Sequence, residues 1–201
     1  MSNDLPRLVL ASGSPRRQEL LDGLGVEFTV RAVELDESVL SGETPEQLVR
    51  RLSLEKASAR VDAGELVLAA DTIVIIDRTI LGKPNSDNEA RDMLRRLAGR
   101  RHTVLTGVAL AQGDRAPSSQ GIERSEVEIA RMSEEEIDWY VETGEPMDKA
   151  GSYAIQGLGA LFVAGVQGNY TNVVGLPLPL TKALFRDLDF DLRQFRRPQN
   201  R

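Results

Sequence analysis

The sequence predicts an α/β fold, a mixed twisted sheet flanked by helices, and three observations carry that reading. Apolar runs of strand length alternate with segments of helical period along the whole chain. The opening stretch turns from an apolar strand through Gly13, Ser14 and Pro15 into a helix and then into a second strand, which is a βαβ start. Thr44 with Gln47, Ser86 with Glu89 and Ser133 with Glu136 each have the capping-box spacing that marks a helix N-terminus.

Residues 8–12 read as the first strand. Ser14 can cap the helix that follows, Pro15 suits its first position, and Leu20, Leu21 and Leu24 share one face over 15–24 before Gly25 supplies a left-handed stop. A second strand is expected over 26–33, and Thr44 opens the second helix with Pro45 behind it. The apolar run 66–76 has the composition of a strand buried on both faces, while 103–111 and 123–130 read as further strands. Gly99 and Gly144 close the third and fourth helices. The glycine-rich segment 151–168 ends in a strand, and 178–188 is the last helix. The polar run 113–121 reads as a hairpin loop rather than a domain boundary, so 1–201 is expected to be a single domain with a frayed tail at about 194–201.

Composition narrows the function. With 41% hydrophobic residues the chain can bury a proper core. Neither a membrane span nor a secretory signal is expected, which points to the cytoplasm. Cysteine is absent and His102 is the sole histidine, so thiolate and histidine-built metal centres are not available. Any metal would be held by oxygens, as Mg2+ or Mn2+ is. The net charge of -6 argues against a nucleic-acid partner. Local Arg and Lys clusters in an acidic chain suggest a small anionic ligand instead.

Several residues break their local pattern. Arg16 and Arg17 put two cations at a helix N-terminus, which the helix field disfavours unless an anion joins them, so they suggest a phosphate site as an alternative to a solvated face. Asp71 interrupts "ELVLAADTIVIID". Either the strand ends at Ala70 and Asp71 is a turn residue, or the carboxylate is buried and needs a cation or hydrogen-bond network. Lys56 shares a helical stripe with Leu48, Leu52 and Ala59, and on these residues alone it snorkels to solvent or serves a site. Lys83 stands between Gly82 and Pro84, and Glu37 is one acid of a polar loop. His102 reads as structural, and Trp139 and Tyr140 as packing residues beside Ile137 and Val141. The phosphate loop GxxxxGK[ST] and the dinucleotide fingerprint are both absent.

The motifs "LASGSPRRQELL", "LEKA", "ADTIV", "LGKP", "VLTGVAL", "GEPMDKAGSYAIQG" and "NYTNVVGLPL" resemble, in this order, those of the Maf family of nucleoside triphosphate pyrophosphatases, also called septum formation inhibitors. The resemblance covers residues 8–185. It implies a fold like that of the inosine triphosphate pyrophosphatases, two lobes around a cleft, and a homodimer. It also implies hydrolysis of nucleoside triphosphates to the monophosphate and diphosphate. "ADT" and "KAGSYAIQG" resemble the branch acting on dTTP, UTP and modified pyrimidine nucleotides. The alternatives are the branch for 7-methyl-GTP, or a nucleotide-binding regulator of division with incidental hydrolysis. Carried over by position, Asp71 matches the proton acceptor, and Arg16, Thr72 and Gln156 match positions tied to substrate choice. Ser12, Arg17, Lys56 and Lys83 match substrate- and phosphate-binding positions. Glu37 matches another polar position lining the cleft, and Glu37 with Asp71 is the pair expected to hold a divalent cation. One departure is at Arg78 and Thr79, which replace a glycine-containing turn and affect loop shape.

Overall fold

The computed structural model describes residues 5–113 and 115–197, of which 115–118 by backbone alone. The elements in order are β1 (Arg7–Leu10), α1 (Pro15–Gly23), β2 (Thr29–Val30), α2 (Pro45–Ser58), β3 (Glu65–Ile76), β4 (Thr79–Leu81) and α3 (Asp87–Leu97). There follow β5 (Arg101–Gln112), β6 (Arg115–Ile129), α4 (Glu134–Glu142), β7 (Val163–Gln167), α5 (Tyr170–Val174) and α6 (Leu178–Asp187). The strands form one sheet in the order β2-β1-β3-β5-β6-β7, with β4 paired to β3. Strand β1 is parallel to β2 and β3, whereas β4 on β3 and β7 on β6 are antiparallel. The fold is therefore mixed α/β, as the sequence predicts.

The chain forms two compact units. The first holds the described residues up to Asp71, Gly107–Ile122 and those from Gly175 onward; the second holds Thr72–Thr106 and Glu123–Val174.

In the first unit the period of two along each strand sorts side chains onto two faces. Leu8 and Leu10 of β1, Leu66, Leu68 and Ala70 of β3, and Val108 and Leu110 of β5 pack with Leu21 of α1, Phe185 of α6 and Phe195. The intervening residues are Val9 and Ala11, Val67 and Ala69, and Ala109 and Ala111, which pack with Ala57 of α2. Small side chains on this second face let α2 lie close to the sheet. At Gly107 a Cβ would sit 2.2 Å from the Val49 carbonyl oxygen, so only glycine fits beneath the helix. Helix α2 carries the expected capping box: the Thr44 hydroxyl accepts from the Gln47 amide at 3.2 Å, and the Gln47 side chain accepts from the Thr44 amide at 2.8 Å. Such a cap contributes about 1 kcal/mol.

The second unit has its own core, built from Val74 and Ile76 of β3, Met93, Leu94 and Leu97 of α3, Ile137 and Tyr140 of α4, and Tyr153 and Phe162. Trp139, the sole tryptophan, remains 44% exposed, its ring 6.5 Å from that of Tyr140 and 6.3 Å from that of Phe162. It is at best half a packing residue.

Several expectations need correction. The strand predicted over 26–33 shrinks to Thr29–Val30, because it pairs only with the end of β1. Ser14 occupies the cap position of α1 but its side chain makes no cap bond; its amide donates to Ser12 Oγ instead. Leu24 lies exposed, off the apolar face of α1. Much of the polar run 113–121 is strand, since β6 already begins at Arg115; residue 114 lies outside the described residues. After β3, Asp77 and Arg78 both take left-handed backbone (φ 50° and 62°) and pair Ile76 with Thr79 in a tight hairpin, so β4 forms without the usual glycine. The expected fraying from 194 does not hold for 194–197. Phe195 is buried against Phe185 at 5.4 Å, and the Arg197 amide donates to the Gly25 carbonyl. The rest of that tail, 198–201, lies outside the described residues.

Candidate functional site

Asp71 is not at a strand end. It sits in the middle of β3, 6% exposed, on the same side as Val67 and Ala69, which is the side that faces α2. The stripe Leu48, Leu52, Lys56 points down from α2 toward that face. Lys56, 7% exposed, therefore does not snorkel: its ammonium donates to Asp71 Oδ1 at 2.6 Å. The same nitrogen donates to Glu37 Oε1 at 2.6 Å, and the Glu37 side chain is 50% exposed. One buried ammonium thus gathers a buried carboxylate and a solvent-facing one.

Arg17 and Ser12 form a second group in this unit. The Arg17 guanidinium donates from Nε to the Gly175 carbonyl at 2.7 Å and from Nη1 to Ser12 Oγ at 2.9 Å. Burial lowers the pKa of Arg17, the charges of Asp71 and Glu37 act in the opposite sense, and neighbouring Arg16 adds to the lowering. Arginine starts so high that it stays charged. Ser12, Arg16, Arg17, Glu37, Lys56 and Asp71 all belong to this one unit, and Arg17 feels the charges of Asp71, Arg16 and Glu37.

Thr72, Lys83 and Gln156 belong to the second unit. The Thr72 hydroxyl is 2.9 Å from that of Thr106, which in turn donates to the Asn172 carbonyl at 3.2 Å. Lys83 is exposed just after β4. Gln156 is half-buried in a turn whose supports the sequence reading missed. The Tyr140 hydroxyl donates to Glu145 Oε1 at 2.8 Å and accepts from the Ala154 amide at 3.1 Å. Glu145 also accepts from the Gly159 amide at 2.8 Å and the Leu158 amide at 3.0 Å. Burial pushes the Glu145 carboxyl up, but the Gly159 and Leu158 amides and the Tyr140 hydroxyl outweigh it and hold it below the ordinary range. Nearby, His102 Nε2 lies 2.7 Å from the Tyr153 hydroxyl. The signal for Glu145 was in the glycines. A Cβ at Gly157 would stand 2.5 Å from Glu145 Oε2, and one at Gly159 would stand 2.4 Å from the Tyr140 hydroxyl.

Among the described residues no group of three or more His, Cys, Asp or Glu could enclose a metal ion unaided. Glu37 and Asp71, two hard carboxylate donors converging on one nitrogen, are the pair with the right chemistry for Mg2+, which is commonly held by one or two carboxylates together with substrate phosphates.

A family model described as Maf-like protein matches residues 7–188. The chain belongs to the Maf family. Maf relatives named dTTP/UTP pyrophosphatase include one from Anaeromyxobacter dehalogenans (strain 2CP-C), 54% identical over 93% of this chain and 96% of that protein. Another, from Symbiobacterium thermophilum, is 49% identical over 94% of this chain and 97% of that protein. A third, from Myxococcus xanthus, is 50% identical over 92% of this Maf chain and 93% of that protein. Among solved structures, the Staphylococcus aureus Ham1 protein is similar with a TM-score of 0.45 and 16% identity over 94% of this chain and 93% of that one. Among the described residues no helix is long and apolar enough to cross a membrane.

Proposed function

We propose that this Maf chain is a nucleoside triphosphate pyrophosphatase acting on dTTP, UTP and modified pyrimidine nucleotides. Water adds to a phosphorus of the α-β anhydride, that P–O bond breaks, and nucleoside monophosphate and diphosphate separate. The observation that supports this most is the buried Asp71 in mid-strand, held by the Lys56 ammonium, which also donates to Glu37. A carboxylate placed there at the cost of burial has a use that a packing residue would not have.

In this reading Asp71 orients the attacking water and takes its proton, while the Lys56 ammonium fixes the carboxylate's position. Ser12, Arg16, Arg17 and Lys83 bind the triphosphate, with arginine suited to paired phosphate oxygens and lysine acting as a point charge. Glu37 and Asp71 would hold Mg2+ or Mn2+, which would offset charge on the phosphoryl oxygens and make water a better nucleophile. Gln156, with Thr72 and Arg16, selects the base. A uracil or thymine edge presents two carbonyl acceptors around one N–H, and the amide of Gln156 offers both a donor and an acceptor to it. The working form is a cytoplasmic homodimer.

The test is diphosphate release from UTP, dTTP, CTP and 7-methyl-GTP by the wild type and Asp71→Asn. UTP and dTTP are expected to turn over in preference, and Asp71→Asn is expected to lose about 10³-fold in kcat without unfolding. A preference for 7-methyl-GTP would move the chain to the other branch, and an Asp71→Asn variant with wild-type turnover would remove Asp71 from the chemistry.

A further inference from the structure

Gln156 is fixed from both sides by one pair of side chains. Two residues before it, the Ala154 amide donates to the Tyr140 hydroxyl; two and three residues after it, the Leu158 and Gly159 amides donate to the two oxygens of Glu145. Tyr140 and Glu145 are themselves joined at 2.8 Å. Helix α4 supplies Tyr140, which is fully buried, and the turn after it supplies Glu145, whose carbonyl also accepts from Lys149 Nζ at 2.6 Å. The backbone cannot drift between these points. Gly157 and Gly159 leave no room for a Cβ against the pair, so the turn lies directly on it.

We infer that Glu145, with Tyr140, is a positioning residue for base selection, setting where the Gln156 amide presents its donor and acceptor. This rests on the reading of Gln156 as the base-selecting residue. Glutamine at 145 keeps the shape but replaces one acceptor oxygen by a donor, so one of the two backbone amides meets a donor instead of an acceptor. Tyr140→Phe deletes the one hydroxyl that links Ala154 to Glu145. Neither substitution alters a group assigned to phosphate.

The experiment measures kcat/KM for UTP and CTP, inhibition by inorganic pyrophosphate, and thermal melting, in the wild type, Gln156→Ala, Glu145→Gln and Tyr140→Phe. The expected result is a UTP-over-CTP ratio reduced about tenfold in all three variants, with pyrophosphate inhibition changed by less than about twofold. If Gln156→Ala lowers the ratio but folded Glu145→Gln and Tyr140→Phe keep it, the inference is overturned and the reading of Gln156 stands. If Gln156→Ala leaves the ratio unchanged, that reading fails and the inference falls with it. Should Glu145→Gln fail to fold, Tyr140→Phe decides the question. Failure of both to fold, or an equal loss of pyrophosphate inhibition, would mark the pair as purely structural and overturn the proposal.

Discussion

Asp71 and Glu145 are both carboxylates drawn out of water, and the protein satisfies them in opposite ways. Asp71 is held by another charge, the Lys56 ammonium, which also reaches Glu37. Glu145 is held by neutral groups, two backbone amides and a tyrosine hydroxyl. A carboxylate held by a side-chain ammonium can exchange that partner for a cation or share it with a phosphate, and no backbone group is stranded. A carboxylate held by amides has no such freedom, because releasing it orphans two N–H donors. The first arrangement suits a place where charge must be redistributed during a reaction, and the second suits a bracket.

The contrast breaks most visibly at Lys56. Replacing it by Met removes the charge that offsets Asp71, and breaking a buried pair from one side costs about 3–5 kcal/mol. Urea denaturation of Lys56→Met is expected to show that loss, and adding Asp71→Asn to return most of it. Equal stability of Lys56→Met and wild type would mean that something other than the ammonium satisfies Asp71.

A buried neutral group elsewhere in the second unit gives the next largest effect. His102, 2% exposed beside Tyr153, is pushed by burial from 6.5 down to about 4, with Glu126 acting in the opposite sense. Because the folded value lies below the unfolded one, the unfolded chain takes up its proton first as the solution is acidified. The stability that neutral His102 contributes is present above about pH 6.5 and is lost as pH falls toward about 4, by on the order of 2–3 kcal/mol. Melting temperature against pH is expected to fall more steeply in wild type than in His102→Gln across that window. Parallel curves would show that the imidazole does not titrate between folded and unfolded states.

The smallest effect is expected at Glu37. Its side chain is 50% exposed, so Glu37→Gln is expected to change stability by less than about 1 kcal/mol, and less still at high salt. A loss as large as that of Lys56→Met would show that Lys56 depends on its outer partner as much as on Asp71.

The alternation of apolar runs, the capping boxes at Thr44 and Ser133 and the anomaly at Asp71 were legible in the sequence because each depends on neighbours a few residues away. At Ser86 only half the box forms, since Glu89 accepts from the Asn85 amide. The destination of Lys56 was not, since its stripe on α2 is equally compatible with snorkelling until the small residues beneath it, Gly107 among them, bring the helix onto the sheet. The hairpin at Asp77 and Arg78 was missed because non-glycine residues rarely take left-handed backbone. Residues 151–168 were recognisable as glycine-rich, yet the reason for Gly157 and Gly159 is a carboxylate and a hydroxyl that come from α4 and the turn after it. Gln156 stood out only through family resemblance, and Glu145, though inside the quoted "GEPMDKAGSYAIQG", was given no role.

Trp139 gives the Gln156 turn an optical voice. It is the sole tryptophan, its ring packs edge-on toward Phe162, where the 157–162 turn ends, and it neighbours Tyr140, whose hydroxyl holds Glu145. At 44% exposure the indole is open to water, so red-edge excitation yields emission from a single chromophore whose wavelength and quenching follow the packing of this turn. The Glu145 and Tyr140 variants and acid titration can be followed at that one site with unlabelled protein.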